Sequence, residues 1–302
     1  MMQIVAVIAI IAFIGFFSKF VDSTLGLGYG TILAPVLIIV GYPIYRVVPA
    51  VLMSEFMGAG LTALLHRLMG NIDSEIQSED FKVSTLLSVL GIIAGATGVL
   101  IAVNLNELFV ATYVSITVIV TGTMVVQGFR WRFSWHRLTA FGFIASLNKS
   151  ISGGGYGPLV AGGQILSGRD STKAIGTTAV AEAAVTGAAW LMYYYLGITD
   201  LVLDPFLELE IPLVIGALIS APVSALLINR IDAKTLTPLV GSAAVALGVY
   251  VLLQIIVGDI FAATITVAIF LTLMLVISVI QYRRRAWKDV RNFQVPGGSG
   301  GA

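Results

Sequence analysis

Two lysines and three carboxylates fall inside segments that otherwise read as hydrocarbon: Lys19, Asp22, Glu55, Lys149 and Glu182. A charge at membrane depth costs about 2.5–3.5 kcal/mol on insertion scales, so such a residue faces a cavity or a partner and is a functional candidate by default. Glu55 and Glu182 each lie nine residues into an apolar stretch, about 14 Å along a helix and close to mid-membrane. A carboxyl group at that depth can exchange a proton during transport, or, kept protonated, cap exposed backbone beside it. Lys19, Asp22 and Lys149 flank two glycine clusters, Gly26-Leu-Gly-Tyr-Gly30 and Gly153-Gly-Gly-Tyr-Gly157. Lys149 brings full positive charge to the second cluster, whereas Asp22 holds the equivalent place in the first. Alternatively, Asp22 pairs with Lys149 or Lys19 to neutralise the core, or a lysine snorkels to the interface.

The clusters interrupt apolar runs, with Ser or Thr on the N-terminal side and a helix-length segment behind. Backbone that leaves the helix inside a bilayer must be buried in protein or line a water-filled cavity. The half-helix that follows offers free N–H groups and partial positive charge, which suits an anion. The expected substrate contacts are Lys19, Ser23, Gly28, Tyr29 and Gly30 from the first break, and Asn148, Lys149, Ser150, Ser152, Gly155, Tyr156 and Gly157 from the second. Asp22, Glu55 and Glu182 are the proton-coupling candidates. Glycines that only let helices pack closely are the structural alternative.

The elements that position these residues are membrane spans. Hydrophobic residues make up 58% of the 302, and charged residues only 11%, against about 25% charged in a soluble domain. At an ungapped offset of 127, segment 15 to 73 matches 142 to 200 at Gly15, Phe16, Ser23, Gly26, Gly28, Tyr29, Gly30, Ala34, Ile38, Gly41, Glu55, Gly60, Leu64, Gly70 and Asp73. Each copy predicts a glycine-broken pair (about 3 to 20 with 27 to 41, and 138 to 147 with 156 to 168) and three longer helices. These run over 46 to 69, 82 to 103 and 107 to 127, then 173 to 197, 210 to 229 and 235 to 257. One extra helix over 261 to 281 closes the chain.

If each broken pair enters and leaves on one side, the two copies have opposite orientation. Placing the 128 to 137 loop in the cytoplasm puts Arg67, Lys82, Arg130, Arg132, Arg137, Arg169, Lys173, Arg230, Lys234 and the five basic residues of the tail inside, and only Arg46 outside, as the positive-inside rule requires. Inverted repeats with broken helices are a mark of secondary transporters. The expected architecture is therefore an all-α polytopic membrane protein of two inverted-topology repeats, each a Gly-broken helical hairpin plus three transmembrane helices, with an extra C-terminal helix. Its divisions are 1–128, 129–258, 259–282 and a basic tail, 283–302, ending in a Gly/Ser linker scar. The N-terminus is expected outside and the C-terminus in the cytoplasm.

Other readings are weaker. Met1 to Phe17 has no basic n-region, and its pattern returns after residue 138, so it reads as structure and not a signal peptide. Absence of cysteine excludes disulfides and thiolate ligands. His66 and His136 lack partners at metal-ligand spacing. No Gly-Lys-Ser/Thr follows the glycines, which argues against nucleotide. The basic clusters beside spans are topology signals, not a nucleic-acid site. No nucleophile–base pair points to an enzyme. No cofactor or metal is expected; the partners are a small anion, the lipid bilayer and, for coupling, protons. Tyr193 to Tyr195 read as an interfacial aromatic belt.

The segment from Gly15 to Pro35, GFFSKFVDSTLGLGYGTILAP, followed by Arg46-Val-Val-Pro-Ala-Val and Gly70-Asn-Ile-Asp73, resembles the TauE/SafE family of sulfite exporter-like permeases. Gly153-Gly-Gly-Tyr-Gly-Pro with Lys173-Ala-Ile-Gly-Thr-Thr is similar to that family's second repeat. The resemblance extends to about residue 257; the chain departs at Pro49, where the second copy keeps Gly176-Thr-Thr, and in its extra C-terminal helix. It implies transport of sulfur-containing anions such as sulfite, sulfoacetate or related sulfonates across the inner cell membrane. The residues by themselves reach only a small anion, carried by alternating access or passed through an anion channel.

Overall fold

The computed structural model describes residues 2–127, 134–198, 206–227 and 233–258, together with Thr264 and Ala268. Among the described residues the fold is helical: α1 (Met2–Leu25), α2 (Tyr29–Val40), α3 (Ile44–Leu68), α4 (Glu79–Ala102), α5 (Glu107–Gln127), α6 (Trp135–Ser152), α7 (Tyr156–Leu166) and α8 (Ser171–Tyr195). A π-helical turn (Phe206–Glu210) then runs into α9 (Ile211–Leu227), and α10 (Ala233–Val257) follows. Seven of these, α1, α3, α4, α5, α8, α9 and α10, contain stretches long and apolar enough to cross a membrane. The chain is an all-α polytopic membrane protein. Apart from Thr264 and Ala268, the helix expected over 261 to 281 lies outside the described residues, as do the basic tail and residues 128–133.

Helix starts follow local chemistry. Ser78 caps α4 by accepting from the Phe81 N–H at 3.1 Å, with Glu79 and Asp80 in the first turn, where the helix dipole favours acids. Asp170 caps α8 through the N–H groups of Thr172 and Lys173. By contrast α2 and α7 begin at Gly28 and Gly155 with no side-chain cap bond.

Glycine contacts reveal helix directions. A methyl on Gly187 of α8 would meet Phe56 of α3, and one on Gly176 would meet His66, so α3 and α8 run antiparallel. Gly91, Gly95 and Gly98 of α4 face Ser146, Ser150 and Ile151 in turn, so α4 and α6 run parallel. Small residues at these contacts let the backbones approach, the usual basis of helix packing in lipid. The helix pairs exchange under the 127-residue offset: α4 with α6 answers α1 with α9, and α4 with α8 answers α3 with α9.

Both broken pairs turn back. α6 enters beside the first half of α4, with Gly142 against Leu87; past α7, Arg169 reaches Asp80 in the first turn of the same α4. At the opposite end α1 packs beside the start of α9, Gly15 against Leu213. Past α2, the Ile44 N–H donates to Glu107 at the start of α5 at 3.2 Å. Arg67, Lys82, Arg137, Arg169 and Lys173 share the end where α4 begins, called here the basic end.

The breaks are shorter than expected. α1 runs on to Leu25 and α6 to Ser152, so Asp22, Ser23, Lys149, Ser150 and Ser152 are helical residues. Every non-helical N–H inside a bilayer needs another partner, which favours an interruption of three residues.

Candidate functional site

The two interruptions, Gly26-Leu-Gly28 and Gly153-Gly-Gly155, share positive φ at equivalent glycines but differ in ψ at the last, 114° at Gly28 and -2° at Gly155. Positive φ occurs at +68° and +81° in the first and at +75° and +84° in the second, a conformation that only glycine adopts without strain. They lie against each other. A methyl on Gly30 would overlap the Gly153 carbonyl, and one on Gly157 would sit 2.8 Å from the Gly26 carbonyl oxygen. The Gly155 N–H donates to Thr31 Oγ1 at 3.1 Å, and the Gly28 N–H donates to Asp22 Oδ1 at 2.9 Å. Backbone capping of the first break, anticipated for the glutamates, thus belongs to Asp22. Thr31 was not expected from sequence, because the second copy has Pro158 in its place.

Around this crossing lies a buried group of five charges. Lys19 Nζ is 2.6 Å from Asp22 Oδ2 and 3.9 Å from Glu55 Oε1. Lys149 donates to Glu55 Oε2 and lies 3.6 Å from Glu182 Oε1. None of the five residues is more than 5% exposed. Asp22, Glu55 and Glu182 each bring a carboxylate oxygen within 4.8 Å of the others, a spacing a cation could use; here the two ammonium groups supply the positive charge. Lys19 Nζ also stands 5.9 Å from the Tyr29 ring centroid, within cation–π range.

The remaining expected residues divide. Tyr29 donates to Ser54 at 3.0 Å and is fully buried, as is Tyr156. Ser23 lies 3.4 Å from Thr62 across to α3. Asn148 accepts from Tyr113 of α5, and Ser150 packs against Gly95 and Gly98 of α4. Ser152 accepts from the Gly154 N–H at 3.2 Å, inside the second turn. Tyr193, read as part of an interfacial belt, is instead buried and donates to the Ser150 carbonyl at 3.0 Å; Tyr194 and Tyr195 are exposed.

A cavity of about 10 Å³ adjoins the cluster, lined by Lys19, Asp22, Ser23, Thr62, Thr178 and Glu182 among others. That is room for about one water, so a sulfite-sized anion enters only if the helices part. The positions equivalent to its Thr178, Ala179 and Ile175 are Val51, Leu52 and Val48, all packed in the core. The counterparts of Lys19, Asp22, Ser23 and Glu182 (Ser146, Lys149, Ser150 and Glu55) stay polar, so the two sides differ in polarity at Thr178 against Val51 and Thr62 against Ala189.

A hydrogen-bonded chain connects that cavity to the basic end. Gln164 Nε2 donates to Thr178 at 3.0 Å and its Oε1 accepts from Arg169 at 2.6 Å. Arg169 donates to Asp80 at 2.5 Å, and Lys173 lies 3.4 Å from Asp80. Charge-assisted bonds of this kind contribute about 1.5–3 kcal/mol. Arg169→Ala is accordingly expected to raise labelling of a cysteine introduced at Thr178 about tenfold, read with an impermeant maleimide on the otherwise cysteine-free chain; an unchanged rate would show that this network does not close the cavity.

Broken helices that cross beside buried paired charges, within a bundle of membrane-spanning helices, are a build found in many membrane transporters. The family profile described as "Sulfite exporter TauE/SafE" matches residues 11–251. The chain belongs to the TauE/SafE family, a family of membrane transporters of the sulfite or anion type and not of enzymes. Neither the curated proteins nor the solved structures compared with it gave a match.

Proposed function

We propose that this protein is a secondary transporter of a small sulfur-containing anion, sulfite or a sulfonate such as sulfoacetate, in the inner cell membrane. The observation that carries the reading is Lys19, a buried cation lining a cavity where two glycine-broken helices cross. The N-terminal ends of α2 and α7 carry partial positive charge, and with Lys19 they suit an anion that sheds its water. Two inverted repeats, 1–128 and 129–258, fit the pairwise exchange of helix contacts. Alternating access fits the contrast between the cavity beside Thr178 and the tight packing at its counterpart, Val51. The basic end is assigned to the cytoplasm by its lysines and arginines. With the inside negative, outward movement of an anion gains about 2.3 kcal/mol per charge per 100 mV. Asp22, Glu55 and Glu182 are the groups available for proton coupling.

A thermal-shift screen of sulfite, thiosulfate, sulfoacetate and taurine against chloride and carboxylates tests the substrate class. A ligand at 100 times its Kd stabilises the folded state by about 2.7 kcal/mol. The expected result is an upward shift with a sulfur oxyanion or sulfonate that Lys19→Met removes. Stabilisation by chloride or carboxylates alone would redirect the assignment.

A further inference from the structure

The five buried charges do not balance. Two ammonium groups, Lys19 and Lys149, face three carboxyl groups, Asp22, Glu55 and Glu182. Other polar groups at the cluster are the neutral hydroxyls of Tyr29 on α2 and Tyr156 on α7, with Ser23, Thr62 and Thr178 along the cavity; no further cation stands among the groups lining that cavity. From α9, Gly216, Ala217 and Ser220 pack beside α1 and α3 and bring no titratable group. An uncompensated charge with this burial is costly unless it is neutralised.

We infer that the cluster holds one proton at neutral pH, that Glu182 carries it, and that Glu182 is the group through which proton movement is tied to the anion. The geometry singles out Glu182. Both oxygens of Asp22 are engaged, Oδ2 by Lys19 at 2.6 Å and Oδ1 by the Gly28 N–H at 2.9 Å. Glu55 Oε1 is also buried without a hydrogen-bond partner, but its Oε2 accepts directly from Lys149. Glu182 Oε1 lies 3.6 Å from Lys149, beyond hydrogen-bond length, and is buried without a hydrogen-bond partner among the described residues. It also lines the cavity, whereas its repeat counterpart Glu55 does not. Water in that cavity gives a proton to the Glu182 carboxylate oxygen and takes it back.

The same count ties the proton to the substrate. A monoanion arriving at Lys19 draws the ammonium from Asp22; Glu182, whose carboxyl lies within 4.8 Å of that of Asp22 on the same cavity, passes its proton to the freed Asp22 carboxylate and is reprotonated by cavity water from the same side. Each anion is thus carried with at least one proton. This coupling step rests on the transport reading above; the resting count does not.

Infrared spectra of the purified full chain, read in the stretching band of protonated carboxyl groups at neutral pH, test the count without any substrate. Relative to wild type, Glu182→Gln should lose one carboxyl's worth of that band, Lys19→Met should gain one, and the double variant should return to the wild-type intensity. Should Lys19→Met not fold, Glu182→Asp and Glu55→Asp locate the proton, because only the first should shift the band. A band unaltered in Glu182→Gln, or one that shifts with Glu55→Asp and not Glu182→Asp, overturns the inference. In proteoliposomes, thiosulfate flux without alkalinisation of the side it leaves overturns the coupling; if no tested anion is transported at all, the transport reading fails while the spectra still decide the count.

Discussion

Gly30→Ala is expected to remove most of the folded protein, not merely weaken a ligand contact. The added methyl would overlap the backbone carbonyl of Gly153, and Val51 of α3 stands 3.0 Å away on another side. Overpacking costs about 1–3 kcal/mol where side chains can yield; here the opposing atoms are backbone within a turn held by Asp22 and Thr31, so the upper end applies. Gly60→Ala in α3 is the control, because nothing lies within 4 Å of its added methyl and alanine is the better helix former by about 1 kcal/mol. Thermal unfolding and monodisperse yield in detergent should show Gly30→Ala far below wild type and Gly60→Ala at or above it. Equal stability of the two variants would mean that the glycine turns do not meet as described.

Lys149→Met is expected to be nearly as damaging, for an electrostatic reason. Lys149 is fully buried and its ammonium stands between Glu55 and Glu182, one on α3 and the other on α8. Removing one partner from a buried ion pair leaves an unpaired buried charge and costs about 3–5 kcal/mol. Replacing both partners is cheaper, so Lys149→Met with Glu55→Gln should recover much of the lost stability. A double variant no more stable than the single would show that Lys149 matters through packing and not charge. The pair couples the two halves, since α6 and α8 belong to one and α3 to the other.

Much of this arrangement was legible in the chain because it is duplicated. The 127-residue offset aligned Gly26 with Gly153 and Gly28 with Gly155, and those are the residues with matching positive φ. The depth of Glu55 and Glu182 followed from helix rise, and their burial agrees with it. Pairing was legible only in part. Asp22 pairs with Lys19 one turn earlier, one of the two partners anticipated for it, whereas Lys149 finds Glu55 on another helix. Single residues did not signal the Asp80–Arg169–Gln164–Thr178 chain. Its members lie on α4, α7, α8 and the turn between α7 and α8, and ordinary polar residues near a span's end carry no mark of what they will meet. The glycines were expected to admit a ligand; they also admit each other, which periodicity along one helix does not reveal.

Counterflow in proteoliposomes tests the central claim most directly. Vesicles loaded with unlabelled sulfite or thiosulfate should accumulate the labelled anion transiently, the uptake should saturate, and folded protein carrying Lys19→Met with Asp22→Asn, which removes both charges of that buried pair, should show none. Flux that rises without saturation and shows no acceleration by anion on the far side, or uptake unaltered in that double variant, would contradict a carrier built around the crossing of the two broken helices.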